Sequence, residues 1–198
     1  MIKIKSPHEI KLMAEAGQIA ELARRACGEL VAPGITTREL DNAARKVIEG
    51  CGAKPSFLGY GGFPGSICCS INDEVIHGIP GSRKIREGDI VKIDVGAHYM
   101  GYHGDCAATF AAGPISEEAQ KLIEVTRQSF YEASSTPARA TEFPIFPVPL
   151  TNILSRTVFT RFGIMWDTAS EVRCMRSLKY PTSWHPTAWA EAPGWWRA

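Results

Sequence analysis

The sequence predicts a mixed α/β chain, and three observations carry that prediction. Two amphipathic stretches near the start, each opened by a capping box, read as helices. Runs rich in Ile and Val follow, separated by glycine-containing breaks, and read as strands. A third helical stretch comes after them, from Ser116 onward.

Ser6-Pro7-His8-Glu9 starts the first helix. Ser6 caps it, Pro7 suits the first helical position because its missing N–H would have no partner there, and Glu9 closes the box. Ile10, Met13, Ile19, Leu22 and Ala26 give it an apolar stripe, and Pro33-Gly34 ends the segment. Thr36 and Glu39 repeat the logic for a second helix, carried by Leu40, Ala43, Ala44 and Val47, with Gly50 as its stop. The glycine-dense loop GYGGFPGS, residues 59–66, permits tight turning or a close backbone approach. Tyr60 and Phe63 within it are able to line an apolar pocket, although a plain surface loop fits the same text. Residues 66–72 read as a short buried strand, and His77 follows between apolar residues and a turn, a place that suits a structural histidine as well as a catalytic one.

Residues 89–110, DIVKIDVGAHYMGYHGDCAATF, read as two strands joined by a tight turn, with an aspartate near the middle of each. If the turn centres on Tyr99 and Met100, Asp94 and Asp105 fall directly opposite each other, with Cβ atoms roughly 4.5–5.5 Å apart. Two carboxylates so placed repel. Either they lie on a solvated face, or one or two divalent metals take oxygen ligands from both. Residues 116–132 then form the third helix, with Leu122, Ile123, Thr126 and Phe130 on one face and two acids in its first turn.

A net charge of +1 argues against a nucleic-acid binder or an acidic disordered segment. The start has no apolar signal-peptide core and no apolar run is long enough to span a bilayer, which points to the cytoplasm and away from the membrane. The six cysteines contain no C-x-x-C pair, so reduced, mostly buried thiols are expected. Composition shifts sharply after Glu132: all five tryptophans lie beyond it, with only Gly163 and Gly194 among the glycines, which reads as a linker and a new module or a segment of different origin.

Taken together, SPHEIKLM, PGITTREL, GYGGFPGSICCSINDEVIHGIPGSR and GDIVKIDVGAHYMGYHGDCAATF resemble the bacterial type I methionine aminopeptidases over residues 1–132. The combination HGIPGSR, then IDVGA, then GYHGD is the specific part. The resemblance implies the pita-bread α/β architecture, two pseudo-symmetric halves closing on a dinuclear metal centre, of which these residues are the N-terminal half. It implies metal-ligand roles for Asp94 and Asp105 and substrate contact for His77, with Tyr60 and Phe63 lining a methionine pocket. His103, beside Asp105, is not a ligand in the family. The cofactors implied are two divalent metal ions, with Co, Mn, Fe, Zn or Ni as candidates. The partners implied are N-terminal Met peptides of nascent proteins, near the ribosome, for a protein that is usually monomeric. The reaction is metal-assisted hydrolysis of the first peptide bond.

The family also has a metal-binding His in a GHGIG segment, a second active-site His and two glutamate ligands. GHGIG does not occur here; the text after Glu132 becomes ASSTPARATEFPIFPVPLTNIL. Met and Trp have single codons, and shifting the frame across Met165-Trp166-Asp167-Thr168 allows Val-Gly-His, the start of the missing motif. Residues 133–198 are therefore read as an out-of-frame or unrelated, poorly ordered tail, and the chain as catalytically incompetent for want of the other ligands. His185, Glu171 and Glu191 are weak substitutes. The alternatives are a non-catalytic peptide-binding module of the same fold, and a two-module protein whose Trp-rich tail binds a partner.

Overall fold

The computed structural model describes residues 4–135, the last four by backbone alone. Both capping boxes form. Ser6 Oγ accepts the Glu9 N–H at 3.3 Å and the Glu9 carboxylate accepts the Ser6 N–H at 2.8 Å, opening α1 (Pro7–Leu30). Thr36 and Glu39 do the same for α2 (Thr37–Gly50). Gly50 stays inside that helix; the left-handed residue that turns the chain away is Gly52, at φ 72°.

Four strands make one antiparallel sheet: β1 (Lys54–Pro55), β2 (Ile67–Ile71), β3 (Ile90–Tyr99) and β4 (Tyr102–Ala111). β3 is central. β4 pairs along its whole length on one side, while β2 pairs with residues 91–95 and β1 with residues 97 and 98 on the other. Side chains alternate across a strand, so Val91, Ile93, Val95 and Ala97 face α1 and α2, together with Ile67, Cys69 and Ile71 of β2. Leu40, Ala44 and Ile48 of α2 complete that core, where each fully buried Ile or Leu contributes about 1.5–3 kcal/mol.

The buried face of α1 is not the expected stripe. Ile10 and Leu22 are 56% and 50% exposed, and the buried line is Ala16, Ile19, Ala20, Ala23 and Cys27. The cause is a close approach between backbones. A Cβ on Gly104 of β4 would stand 2.3 Å from the Ala16 carbonyl and the Gly17 nitrogen, so only small side chains fit where α1 crosses the sheet.

The hairpin also differs from the expected register. Its turn centres on Met100 and Gly101, at φ 48° and 87°, and Tyr99 pairs with Tyr102. A two-residue loop with both central φ values positive matches the right-handed twist of the flanking strands, and Gly101 adopts it without steric cost. The register therefore sits two residues from the one that would oppose the aspartates: Asp94 faces Ala107, and Asp105 faces Gly96. The aspartates are diagonal neighbours on one face.

Contacts group residues up to Pro114 into one unit and those from Ile115 into a second. The second contains α3 (Glu117–Ser135), opened by Ser116 Oγ accepting the Ala119 N–H at 3.2 Å. The helix runs three residues past Glu132. Beyond residue 135, the expected out-of-frame or poorly ordered tail lies outside the described residues. All five described cysteines are free; Cys27, Cys68 and Cys69 are buried, Cys106 is half-buried and Cys51 is exposed. Among the described residues, no helix is long and apolar enough to cross a membrane.

Candidate metal centre and adjoining cleft

The sheet face turned away from α1 and α2 carries the polar chemistry. Period-two alternation puts Lys92, Asp94, Gly96 and His98 of β3 there, with Ser70 and Cys68 of β2 beside them and His103, Asp105, Ala107 and Thr109 of β4 across from them. Diagonal cross-strand neighbours are roughly 7–8 Å apart, within reach of converging side chains. Asp94 and Asp105 do converge, and a hydrogen bond joins their carboxyls. One of the two must then carry a proton. Burial first, then the Asp105 charge and that hydrogen bond, push Asp94 up to about 8. Burial also raises Asp105, against the opposing effect of the hydrogen bond from Asp94. Asp105 is surface-accessible, whereas Asp94 is half-buried.

Among the described residues, no Lys, Arg or His forms an ion pair with Asp94 or Asp105. Lys92, two residues from Asp94, turns its ammonium to the carbonyl oxygens of Asn72, at 2.6 Å, and Glu74. His103 is engaged elsewhere: Ser56 Oγ lies 2.8 Å from its Nδ1, and the His98 ring stacks beside it at a centroid separation of 4.4 Å. Burial, and then His98, lower the His103 pKa and favour its neutral form. The pair thus has the donor chemistry of a divalent-cation site, with hard oxygen donors and uncompensated charge. It supplies only part of a coordination shell. Among the described residues, no group of three or more His, Cys, Asp or Glu side chains is placed to hold a metal.

Apolar groups close in beside the acids. A Cβ on Gly96 would meet the Phe57 ring at 2.7 Å and Ser56 at 2.8 Å, so the segment leading into the glycine loop packs on β3 at the partner of Asp105. The loop's single-turn 3-10 helix, Tyr60–Gly62, leaves Tyr60 47% exposed, whereas Phe63 is buried. Its far end packs on the HGIP segment: a Cβ on Gly65 would meet the Pro80 ring at 2.6 Å. His77 sits on that segment at φ 57°, and Gly78 accepts the Cys69 N–H at 2.8 Å, so His77 borders the edge of β2. Burial lowers the His77 pKa, which favours the neutral ring. The structure thus brings Asp94 to Asp105 and the Phe63 loop to the His77 segment, while Tyr60 is 47% exposed.

Two residues of this region escaped sequence reasoning. Cys68 is the Cα partner of Asp94 on the same face, and burial, followed by the two aspartates, pushes its thiol up. Strand alternation contained that signal, since adjacent Cys68 and Cys69 must point to opposite faces. Asp41 of α2 is the other: its Oδ1 accepts the N–H groups of Ser66 at 2.6 Å and Ile67 at 3.0 Å, tying the glycine loop to the helix. No local pattern announces a contact spanning 25 residues. Asp41→Ala strands both donors, and the expected cost is about 3 kcal/mol. It is read as a lower urea midpoint, and an unchanged midpoint would show that the anchor is unimportant.

The sequence pattern of metallopeptidase family M24 matches residues 11–140. Methionine aminopeptidase 1 of Bacillus subtilis is 51% identical over 132 residues, covering 67% of this chain and 53% of that protein. The chain spans about half the length of the curated relatives it matches. A crystal structure of methionine aminopeptidase from Thermotoga maritima superposes with a TM-score of 0.76 at 34% identity, over 79% of this chain and 64% of that one. Prolidase from Pyrococcus furiosus superposes at 0.70 with 23% identity, over 78% and 44%, a likeness of fold alone.

Proposed function

This chain belongs to metallopeptidase family M24 and has its pita-bread α/β fold, and from that premise we propose that its site was built to remove the initiator methionine from nascent proteins. The observation that carries the reading is the converging Asp94–Asp105 pair, whose pKa values burial raises, with the Phe57 ring packed over Gly96 beside it. A divalent cation, when bound, would supply Lewis acidity and a more acidic water; the family implies such ions, and Co, Mn, Fe, Zn and Ni all suit oxygen ligands from both aspartates. The chain's own residues do the rest. Asp94 and Asp105 would hold the cation by giving up their shared proton. His77, kept neutral by burial, would donate a hydrogen bond to the substrate carbonyl. Phe63, with Tyr60 outside it, would take the methionine side chain by apolar burial. The proposed partners are N-terminal Met peptides close to the ribosome, for a monomeric protein acting in the cytoplasm.

We further propose that the 198-residue chain does not turn substrate over. Two carboxylates hold a metal poorly, and the family's GHGIG histidine is not in the sequence. On this reading residues 133–198 are out-of-frame text, which resequencing the gene tests: an intact frame with no shifted GHGIG remnant removes the idea. The second reading, a module that binds Met peptides without cleaving them, is favoured by the same incomplete ligand set. Incubation of the chain with a Met-Ala-Ser peptide and Co²⁺, Mn²⁺ or Fe²⁺ separates these. The expected result is metal-dependent peptide binding that Asp94→Ala and a chelator both abolish, with no free methionine released. Turnover that Asp94→Ala abolishes would overturn the incompetence and restore the enzyme; no binding with any metal would remove the substrate assignment.

A further inference from the structure

Residues 72–78 leave β2 after Ile71 and return to its outer edge at Gly78, with His77 one residue before the return. Both ends of this excursion are held by neighbouring residues of the sheet face that carries the aspartates. At the return, Ser70 Oγ accepts the Gly78 N–H at 3.0 Å, and the Gly78 carbonyl accepts the Cys69 N–H. At the departure, Lys92, the Cα partner of Ser70, donates to the carbonyls of Asn72 and Glu74. The Glu74 carboxylate accepts from the Ile71 N–H at 2.8 Å and from Arg83 at 2.6 Å. Asn72, at φ 53°, spans the Ile90 N–H and Asp89 with its side chain.

The use made of Lys92 is informative. An ammonium two residues from Asp94 on the same face would ordinarily pair with the acids. Here it is half-buried against neutral carbonyls, and ordering a lysine costs side-chain entropy that the charge-assisted bonds must offset. The far end of the segment has no slack: a Cβ on Gly78 would stand 2.3 Å from the Cys69 carbonyl oxygen. Movement at residues 72–74 therefore passes to residues 75–77. His77 already holds a left-handed φ, which a non-glycine residue keeps only when its surroundings impose it.

We propose that Lys92 is a positioning residue, whose ammonium clamps the Asn72 and Glu74 carbonyls and thereby sets where the His77 imidazole lies at the edge of β2. The clamp stands on geometry alone; only its value to substrate binding rests on the function proposed above. The test uses the full chain carrying Lys92→Met, which keeps the stem and removes the charge. NMR signals of the His77 ring are assigned with His77→Gln, and Met-Ala-Ser binding is measured in parallel with Mn²⁺ present. The expected result is that the Asn72 and Glu74 amides shift, the His77 ring signals shift or split while those of His8 stay in place, and peptide binding weakens about tenfold. Shifted Asn72 and Glu74 amides with an unmoved His77 ring overturn the proposal, as do unshifted amides. If Lys92→Met unfolds, Lys92→Arg decides by the same criterion, because its longer planar head must displace the 72–74 turn. A displaced His77 in a chain whose unmodified form binds no peptide leaves the clamp standing and removes the substrate reading instead.

Discussion

Gly104→Val is expected to cost more stability than any other single substitution in the hairpin. The new side chain would start from a Cβ 2.3 Å from the backbone of Ala16 and Gly17, well inside contact distance and against main-chain atoms that have no rotamer to escape into. Either α1 lifts from the sheet or β4 bends away from it. Lifting α1 exposes part of the core that Ile19, Ala20, Ala23 and Cys27 close; bending β4 breaks the pairing that holds Asp105 opposite Gly96. Overpacking usually costs about 1–3 kcal/mol, and a backbone clash of this depth belongs at or above the top of that range. Gly104→Ala carries the same first atom and is expected to lose most of the same stability, while Gly101→Ala, where a Cβ meets nothing within 4 Å and only the positive φ is strained, loses less. Urea unfolding of the three variants checks the order; Gly104→Ala at wild-type stability would mean that α1 does not lie on β4 as described.

That glycine also explains which parts of the fold were legible in the sequence. The capping boxes at Ser6–Glu9 and Thr36–Glu39 are local: each needs only residues three apart, and both form. β2 and β3 were legible from Ile and Val runs and β4 from its alternation after the glycine turn, to within about two residues at each end, whereas the two-residue β1 was not read. The face of α1 was not, because apolar periodicity marks where large side chains lie, and the closest part of this interface selects alanine opposite a glycine. The hairpin register was misread for a related reason. Centring the turn on Tyr99 and Met100 ignored Gly101, the residue best suited to positive φ. As a result, the aspartates were expected face to face and are diagonal.

The site was legible in a different way. Spacing alone left Asp94 and Asp105 as either a solvated face or a metal pair, and resemblance assigned their roles. The geometry adds that their carboxyls converge, that Phe57 and Ser56 pack over Gly96 beside them, and that the nearby ammonium of Lys92 is committed elsewhere. Contacts such as Asp41 to Ser66 and Lys92 to Asn72 were invisible because they join a side chain to backbone atoms about twenty residues away. Backbone acceptors and donors carry no residue identity, so no sequence pattern records them.

Without a divalent cation, the aspartate pair is expected to make this chain more stable in mild acid than at pH 8, against the usual carboxylate trend. In the folded chain Asp94 is pushed up to about 8 by burial and by Asp105, whereas an unfolded aspartate titrates near ~3.9. Between those values the folded chain holds a proton that the unfolded chain has released, so stability falls as pH rises. The penalty is absent below about pH 4 and complete once pH passes the folded value; one proton sets a ceiling of about 1.4 kcal/mol per pH unit. Solvent access at Asp105 reduces the slope below that ceiling. Urea midpoints measured in chelator should therefore drop between pH 5 and pH 8, and Asp94→Asn should flatten the drop, since a neutral amide has no proton to lose. That variant also separates the pair from His77 and His103, which remain in both chains. Mn²⁺ at pH 8 should raise the wild-type midpoint by replacing the shared proton, by about 2.7 kcal/mol at a hundredfold excess over its dissociation constant, and should leave Asp94→Asn nearly unmoved. His77 and His103, whose pKa values burial lowers, add stability as pH rises in both chains. A wild-type midpoint that changes from pH 5 to pH 8 in chelator just as that of Asp94→Asn does would therefore show that the two carboxyls do not share a proton. A wild-type midpoint indifferent to Mn²⁺ would show that two aspartates, without further ligands, are too few to hold the ion.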